Sequence, residues 1–183
     1  MKSLNKNTIV CDDIVFKKYI SNKNIEKELT KLSIHLNQYY YGKTPMVIGI
    51  LNGSIYFMID LLNKVNFKYE IDFIKSSSYK GTERQTLTLD KFSNTKFKNK
   101  EILIIEDIID SGQTMNKIYQ DLQTTNPKDI KIVSLLNKHT KKRKISFNID
   151  WVGFNIVDKY VIGYGMDYNN LFRYLKDIYI KDE

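Results

Sequence analysis

Residues 101–115 read EILIIEDIIDSGQTM, and the fold follows from how that stretch divides. The first five residues, apolar without a break after Glu101, have the length and β-branched content of a strand buried on both faces. Residues 106–114 bring acids, hydroxyls and a glycine, which is turn chemistry, and a helical pattern then runs from Met115 until Pro127 stops it nearby. A second apolar run, residues 129–136 (DIKIVSLL), predicts the returning strand. Strand, turn, helix and strand in that order form the βαβ unit of a parallel sheet.

The same order repeats upstream. Residues 46–51 (MVIGIL) predict a strand, Asn52, Gly53 and Ser54 a tight turn, residues 55–62 a helix and residues 69–75 another strand. Before them Ile25, Leu29, Leu32, Leu36 and Tyr39 recur every three or four positions, the stripe of an amphipathic helix that Ser21 or Asn22 can cap. Downstream, strands are expected at residues 151–157 and 160–165, followed by a last segment over 167–176. The expected class is α/β, one domain spanning residues 1–183, with a central parallel sheet covered by helices on both faces. Ligands of such sheets bind beyond the carboxyl ends of the strands, so the turns at residues 52–54, 106–114 and 137–138 should open on one mouth. The polar stretch 76–91 (SSSYKGTERQTLTLDK) predicts a long loop, the kind that often serves as a lid.

Composition narrows the function classes. A chain of 183 residues with 42% hydrophobic and 27% charged residues is a globular protein with enough length for a real core. It has no apolar stretch near the roughly 18 residues of a membrane span, and its first residues, MKSLNKNTIVCDD, lack an apolar signal segment, so a cytoplasmic protein is expected. Cys11 is the single cysteine, which leaves an intrachain disulfide impossible and zinc unsupported; it is expected to be a packing residue. The formal charge of +8 favours anionic partners in general. The lysines are spread along the chain, and the densest run, residues 138–144 (KHTKKRK), predicts a solvated loop.

The chemistry is concentrated where the fold argument began. Glu106 and Asp107 follow the apolar strand and must face a ligand, a metal or water, because an unpaired buried charge is very costly. Asp110, Ser111, Gly112, Gln113 and Thr114 then bring hydroxyls and backbone N–H groups to a helix N-terminus, a cradle for phosphate. Acids able to hold sugar hydroxyls or Mg²⁺ beside a phosphate cradle suit a phosphorylated ribose. The triphosphate motif GxxxxGK[ST] is absent, and the pair Gly163 and Gly165 lacks the third glycine of a dinucleotide site.

Residues 104–115 resemble the phosphoribosyl pyrophosphate motif of the type I phosphoribosyltransferases, specifically the hypoxanthine-guanine branch. Residues 50–53 (ILNG) are similar to that family's pyrophosphate loop, Ser78 and Tyr79 to the start of its mobile lid, and residues 134–138 (SLLNK) to the strand bearing its purine-binding lysine. Residues 152–154 and 158–169, through Phe172 and Arg173, resemble its base-binding section. The resemblance implies a hood built from the N- and C-terminal segments and a transfer of phosphoribose to hypoxanthine, with guanine a further acceptor.

By position it gives Glu106 and Asp107 the ribose hydroxyls and Mg²⁺, and residues 110–114 the 5-phosphate, with Asp110 also the general base. Lys138 would donate to the purine 6-oxo oxygen, Tyr160 stack on the ring, and the Val161 backbone meet its edge. Asp167 would lie at the purine and help hold a second Mg²⁺, and Asn52, Gly53 and Arg173 would take pyrophosphate. Family members frequently carry lysine where this chain has Asn52. Their loop can contain a non-proline cis peptide whose N–H meets pyrophosphate, a role open to Asn52 and Gly53. His35, His139, Trp151 and Phe154 are expected to be structural or solvated.

The substrates implied are small molecules, with neither membrane nor nucleic acid, and a homodimer or homotetramer is expected. Xanthine or another base stays open as acceptor, because guanine and xanthine differ where backbone groups would read them. A regulator that binds RNA on the same fold also stays open, since a fold does not fix a function.

Overall fold

A computed structural model describes residues 7–75, 96–141 and 143–182. The expected lid residues Ser78 and Tyr79 lie outside the described residues. Among those described, no helix is long and apolar enough to cross a membrane.

An N-terminal hairpin, β1 (Thr8–Cys11) and β2 (Ile14–Ile20), turns through Asp12 and Asp13, both at positive φ. Helix α1 (Asn22–Tyr39) follows, and the Ser21 hydroxyl caps it by accepting the Asn24 amide at 3.3 Å. Then come β3 (Met46–Leu51), α2 (Ile55–Leu62), β4 (Glu70–Lys75), β5 (Glu101–Ile109), α3 (Gln113–Gln123), β6 (Asp129–Lys138) and β7 (Trp151–Ile156). Strands β8 (Val161–Ile162) and β9 (Ile178–Lys181) complete the order.

Strands β4-β3-β5-β6-β7 form a five-stranded sheet in which every pairing is parallel. Alternation divides its residues between two cores. Val47, Leu103, Ile105, Val133 and Leu135 pack with α1 and α2, while Ile48, Ile50, Ile102, Ile104 and Ile132 pack with Met115, Ile118 and Leu122 of α3. Both faces are thus covered, which is why the strands carry unbroken apolar runs. Trp151 and Phe154 pack half-buried against the first core.

The expectation that β5 ends at residue 105 is corrected: the strand continues to Ile109, with Ile108 opposite Leu136 and Ile109 opposite Asn137. Glu106 and Asp107 interrupt the hydrophobic run, not the backbone ladder. Across Asp107 the register with β6 holds, Glu106 opposite Ser134 and Ile108 opposite Leu136, yet the alternation of faces reverses, since Ile105 packs towards α1 and α2 whereas Ile109 joins the α3 side. Likewise Asn137 and Lys138 end strand β6 and do not begin a turn.

The second sheet, β1-β2-β9-β8, is antiparallel and joins the two ends of the chain into the hood that the family resemblance implied. The strand expected over 160–165 shrinks to Val161 and Ile162, because Gly163, Tyr164 and Gly165 all take positive φ, incompatible with a strand.

Candidate active site

The carboxyl ends of β3, β5 and β6 face the hood across one cleft, lined by Asn52, Gly53, Glu106, Asp107, Asp110, Lys138, Tyr160, Val161, Asp167 and Arg173. Residues from five separate stretches of sequence therefore meet. The remaining predicted residues, Ser111, Gly112, Gln113 and Thr114, lie beyond Asp110 and do not line this cleft. They form the start of α3, where Gly112 at φ 80 precedes the first helical turn and the Gln113 amide reaches the Ser111 hydroxyl at 3.5 Å. Ile50, Leu51, Ile108 and Met166 add apolar lining; they lie inside the segments that carry the family resemblance, which gives them no role of their own. Their signal in the sequence was only their adjacency to polar site residues.

The acids are the most unusual groups in the cleft. Glu106 and Asp107 are each only 8% exposed, and Glu106 Oε2 is buried without a hydrogen-bond partner. Burial, reinforced by the neighbouring Asp107 charge, pushes the Glu106 carboxyl well above its usual range. Burial also raises Asp107 to about 6, although backbone amides at Asp107 and Ile108 and the Arg173 charge pull the other way. An orphaned carboxylate oxygen in a polar cleft calls for a cation or a hydroxyl donor from a ligand.

Gly53 makes room for Asp107. A Cβ there would lie 2.0 Å from Asp107 Oδ2, so no other residue fits without displacing the acid. The Leu51–Asn52 peptide immediately before it is cis.

Asp110 is about half exposed, and its Oδ2 accepts from Lys138 Nζ at 2.8 Å. The Lys138 residue is only 7% exposed, unlike its neighbours in the basic run. Its strand end is anchored by Arg143, which donates to the Asn137 side chain and, at 3.1 Å, to the Lys138 carbonyl. His139 sits on the surface with its ring 3.2 Å from Asn155 Oδ1.

On the hood side Tyr160 is 47% exposed, donates to the Asp167 carbonyl at 2.6 Å and meets Tyr168 edge-on. Arg173 pairs with Asp167 Oδ1 at 2.6 Å and donates to the Gly165 carbonyl at 2.6 Å. Asp167 Oδ2 accepts the Asn170 amide at 2.7 Å. A carboxylate has about four acceptor sites, so these bonds leave Asp167 further capacity.

Among the described residues, no group of three or more His, Cys, Asp or Glu side chains could hold a metal by itself. Two buried acids suit an ion such as Mg²⁺, which takes most of its ligands from water and substrate phosphates.

The phosphoribosyl transferase domain matches residues 15–169 of this chain. The chain belongs to that family. A hypoxanthine-guanine-xanthine phosphoribosyltransferase of Tritrichomonas foetus is 37% identical over 161 residues, covering 87% of this chain and 88% of its own. The hypoxanthine-guanine phosphoribosyltransferase of Bacillus subtilis is 37% identical over 158 residues, covering 85% and 87%. Among solved structures, a hypoxanthine-guanine phosphoribosyltransferase of Bacillus anthracis superimposes with a TM-score of 0.81 at 30% identity, covering 97% of this chain and 100% of its own. The phosphoribosyltransferase fold accounts for the βαβ order, the parallel sheet and the hood together.

Proposed function

We propose that this phosphoribosyltransferase acts in purine salvage, moving the 5-phosphoribosyl group from phosphoribosyl pyrophosphate to hypoxanthine, and to guanine, to give IMP or GMP and pyrophosphate. The observation that carries this reading is the cleft itself. It brings a buried lysine beside Asp110, and two buried acids of the same sheet, to face Arg173 of the hood. The relatives named for hypoxanthine and guanine support it.

In the reaction the bond from ribose C1 to pyrophosphate breaks and a purine nitrogen takes its place, through a transition state of oxocarbenium character. Asp110 accepts the proton that the purine nitrogen loses. Lys138 donates to the 6-oxo oxygen; an ammonium has three protons, so it can serve the purine while remaining beside Asp110. Tyr160 stacks on the base and the Val161 backbone meets its edge. Residues 111–114 hold the 5-phosphate at the start of α3. Asn52, Gly53 and Arg173 hold the pyrophosphate, whose developing charge a preorganised donor stabilises best. Glu106 and Asp107, with Asp167, would hold Mg²⁺, which when bound neutralises the leaving group.

The experiment is to mix protein, phosphoribosyl pyrophosphate, hypoxanthine and Mg²⁺ and to measure IMP and pyrophosphate in equal amounts. Chelation by EDTA with metal-free reagents should abolish both products. Full activity under chelation would remove the metal, and absence of IMP with Mg²⁺ present would remove the reaction.

A homodimer or homotetramer is part of the same reading. Helix α2 (IYFMIDLL) carries one charged residue, and its Ile55 and Ile59 are exposed beside Ile71 and Phe73 of the edge strand β4. A continuous exposed apolar surface of that kind ordinarily meets another protein surface. Light scattering should give at least twice the 21.6 kDa chain mass, and Ile59→Glu should shift it towards the monomer; a monomeric parent would contradict this.

A further inference from the structure

Asp60 is the one charged residue of α2, and it is partly buried. Its Oδ2 accepts the Tyr164 hydroxyl at 2.6 Å, across a sequence separation of 104 residues. The Tyr164 ring is 3% exposed, lies 6.2 Å from the Tyr56 ring of the same helix, and belongs to a residue at φ 49 between two positive-φ glycines. Non-glycine residues in that region are uncommon and persist where surrounding contacts impose them. Burial first, then the Asp60 carboxylate, hold the Tyr164 phenol far above its usual range, so it stays a donor at working pH.

What this contact holds in place is next to it. Gly165 packs so closely on the turn after β3 that a Cβ would lie 1.9 Å from the Gly53 carbonyl oxygen. The Gly165 amide donates to the Arg173 carbonyl at 2.9 Å, and its own carbonyl accepts the Arg173 guanidinium at 2.6 Å. Asp107 sits on the other side of Gly53. The series Asp60, Tyr164, Gly165 and Arg173 thus spans from α2 to the pyrophosphate end of the cleft. Val161 and Ile162, by contrast, are fixed independently by pairing with β9.

We propose that the Asp60–Tyr164 hydrogen bond is a positioning tie that sets Arg173 and the Gly53 turn for pyrophosphate, and that it acts on that end of the substrate pair and not on the purine. The proposal rests on the reading above that Asn52, Gly53 and Arg173 hold pyrophosphate. Neither tie residue lines the cleft, so neither is catalytic; both act through Gly165.

The test is Tyr164→Phe, which keeps the ring and removes one hydroxyl. KM for phosphoribosyl pyrophosphate, and the calorimetric dissociation constant of pyrophosphate with Mg²⁺, should rise about tenfold, the scale of a small misplacement of binding groups. KM for hypoxanthine should stay within about twofold. Asp60→Leu, which suits an apolar helix, should reproduce the effect, and Asp60→Asn, which keeps an acceptor oxygen, should restore most of the affinity. Combining Tyr164→Phe with Asp60→Leu should cost no more than either alone, as for two partners of one contact. Arg173→Ala separates the two layers of the argument. Parental pyrophosphate affinity in Tyr164→Phe and Asp60→Leu, beside weakened affinity in Arg173→Ala, overturns the tie alone. Parental affinity in Arg173→Ala overturns the pyrophosphate reading and the tie with it. Equal losses for purine and pyrophosphate also overturn the tie, since they mark a general disturbance of the fold.

Discussion

The two walls of the cleft are built on opposite plans. The sheet wall presents Glu106, Asp107 and Lys138 from strands with both faces packed, each less than a tenth exposed. The hood wall presents Tyr160, Asp167 and Arg173 from a segment with little strand, held by side-chain-to-backbone contacts and positive-φ residues. Burial raises both acids of the sheet wall above their usual range, and perturbed groups of that kind cluster where chemistry is done. The hood wall is specified by contacts within its own segment, which suits it to positioning substrate. A substitution on the sheet wall should therefore cost rate or binding most steeply, and a single hood contact less.

Asp110→Asn carries the largest expected effect. The amide keeps the shape of the loop but accepts no proton, so kcat should fall about 100- to 10,000-fold, with substrate KM values changing far less. Steady-state kinetics check it, and activity within threefold of the parent would remove Asp110 from the role of base. Lys138→Met comes next: loss of one charge-assisted hydrogen bond in a closed site should lower kcat/KM for hypoxanthine about 10- to 150-fold. Calorimetry should show nearly parental binding of phosphoribosyl pyrophosphate; unchanged hypoxanthine kinetics would place the lysine outside purine recognition.

Glu106→Gln sharpens the contrast from the side of stability. The amide carries no charge, so it lifts the desolvation cost and the repulsion from Asp107, and the ligand-free protein should gain about 1 kcal/mol, roughly 2–4 °C in Tm, while activity falls. A lower Tm would show that Glu106 is already satisfied without ligand.

Asp177→Asn, at the base of the hood, carries the smallest effect. Burial alone would raise this carboxyl, but Lys18 at 2.7 Å and the Asn22 amide more than offset it and hold it below its usual range. Its stabilisation is therefore present above the ordinary value of 3.8 and lost as pH falls through the lowered one. The variant should lose about 0.5–1 kcal/mol at pH 7 and match the parent near pH 2. An undiminished gap in acid melts would contradict the assignment.

The same difference decides what could be read in the sequence. Strands β3, β5 and β6 were legible because burial on both faces leaves continuous apolar runs. The end of β3 at Leu51 was legible as well, but that of β5 was not, because Ile108 and Ile109 resume the ladder beyond two acids that look like a strand terminus. The hood was invisible to periodicity: β2 pairs with β9 from the opposite end of the chain, and β8 is only two residues long. Of the site, Glu106, Asp107 and Asp110 were legible because acids and hydroxyls fall together between a strand and a helix. Lys138 took its meaning from its place at a strand's end, since a basic run alone predicts a solvated loop. Tyr164 with Asp60, and Arg143 with the end of β6, gave no signal, because a side-chain contact between distant segments leaves no local pattern.

The most direct measurement is the initial rate of nucleoside monophosphate formation from saturating phosphoribosyl pyrophosphate and Mg²⁺ with hypoxanthine, guanine, xanthine or adenine supplied separately. A buried lysine donor predicts use of hypoxanthine and guanine, with adenine slower by about 100-fold or more, since an ammonium cannot accept from a 6-amino group. Adenine turned over as fast as hypoxanthine would contradict the account.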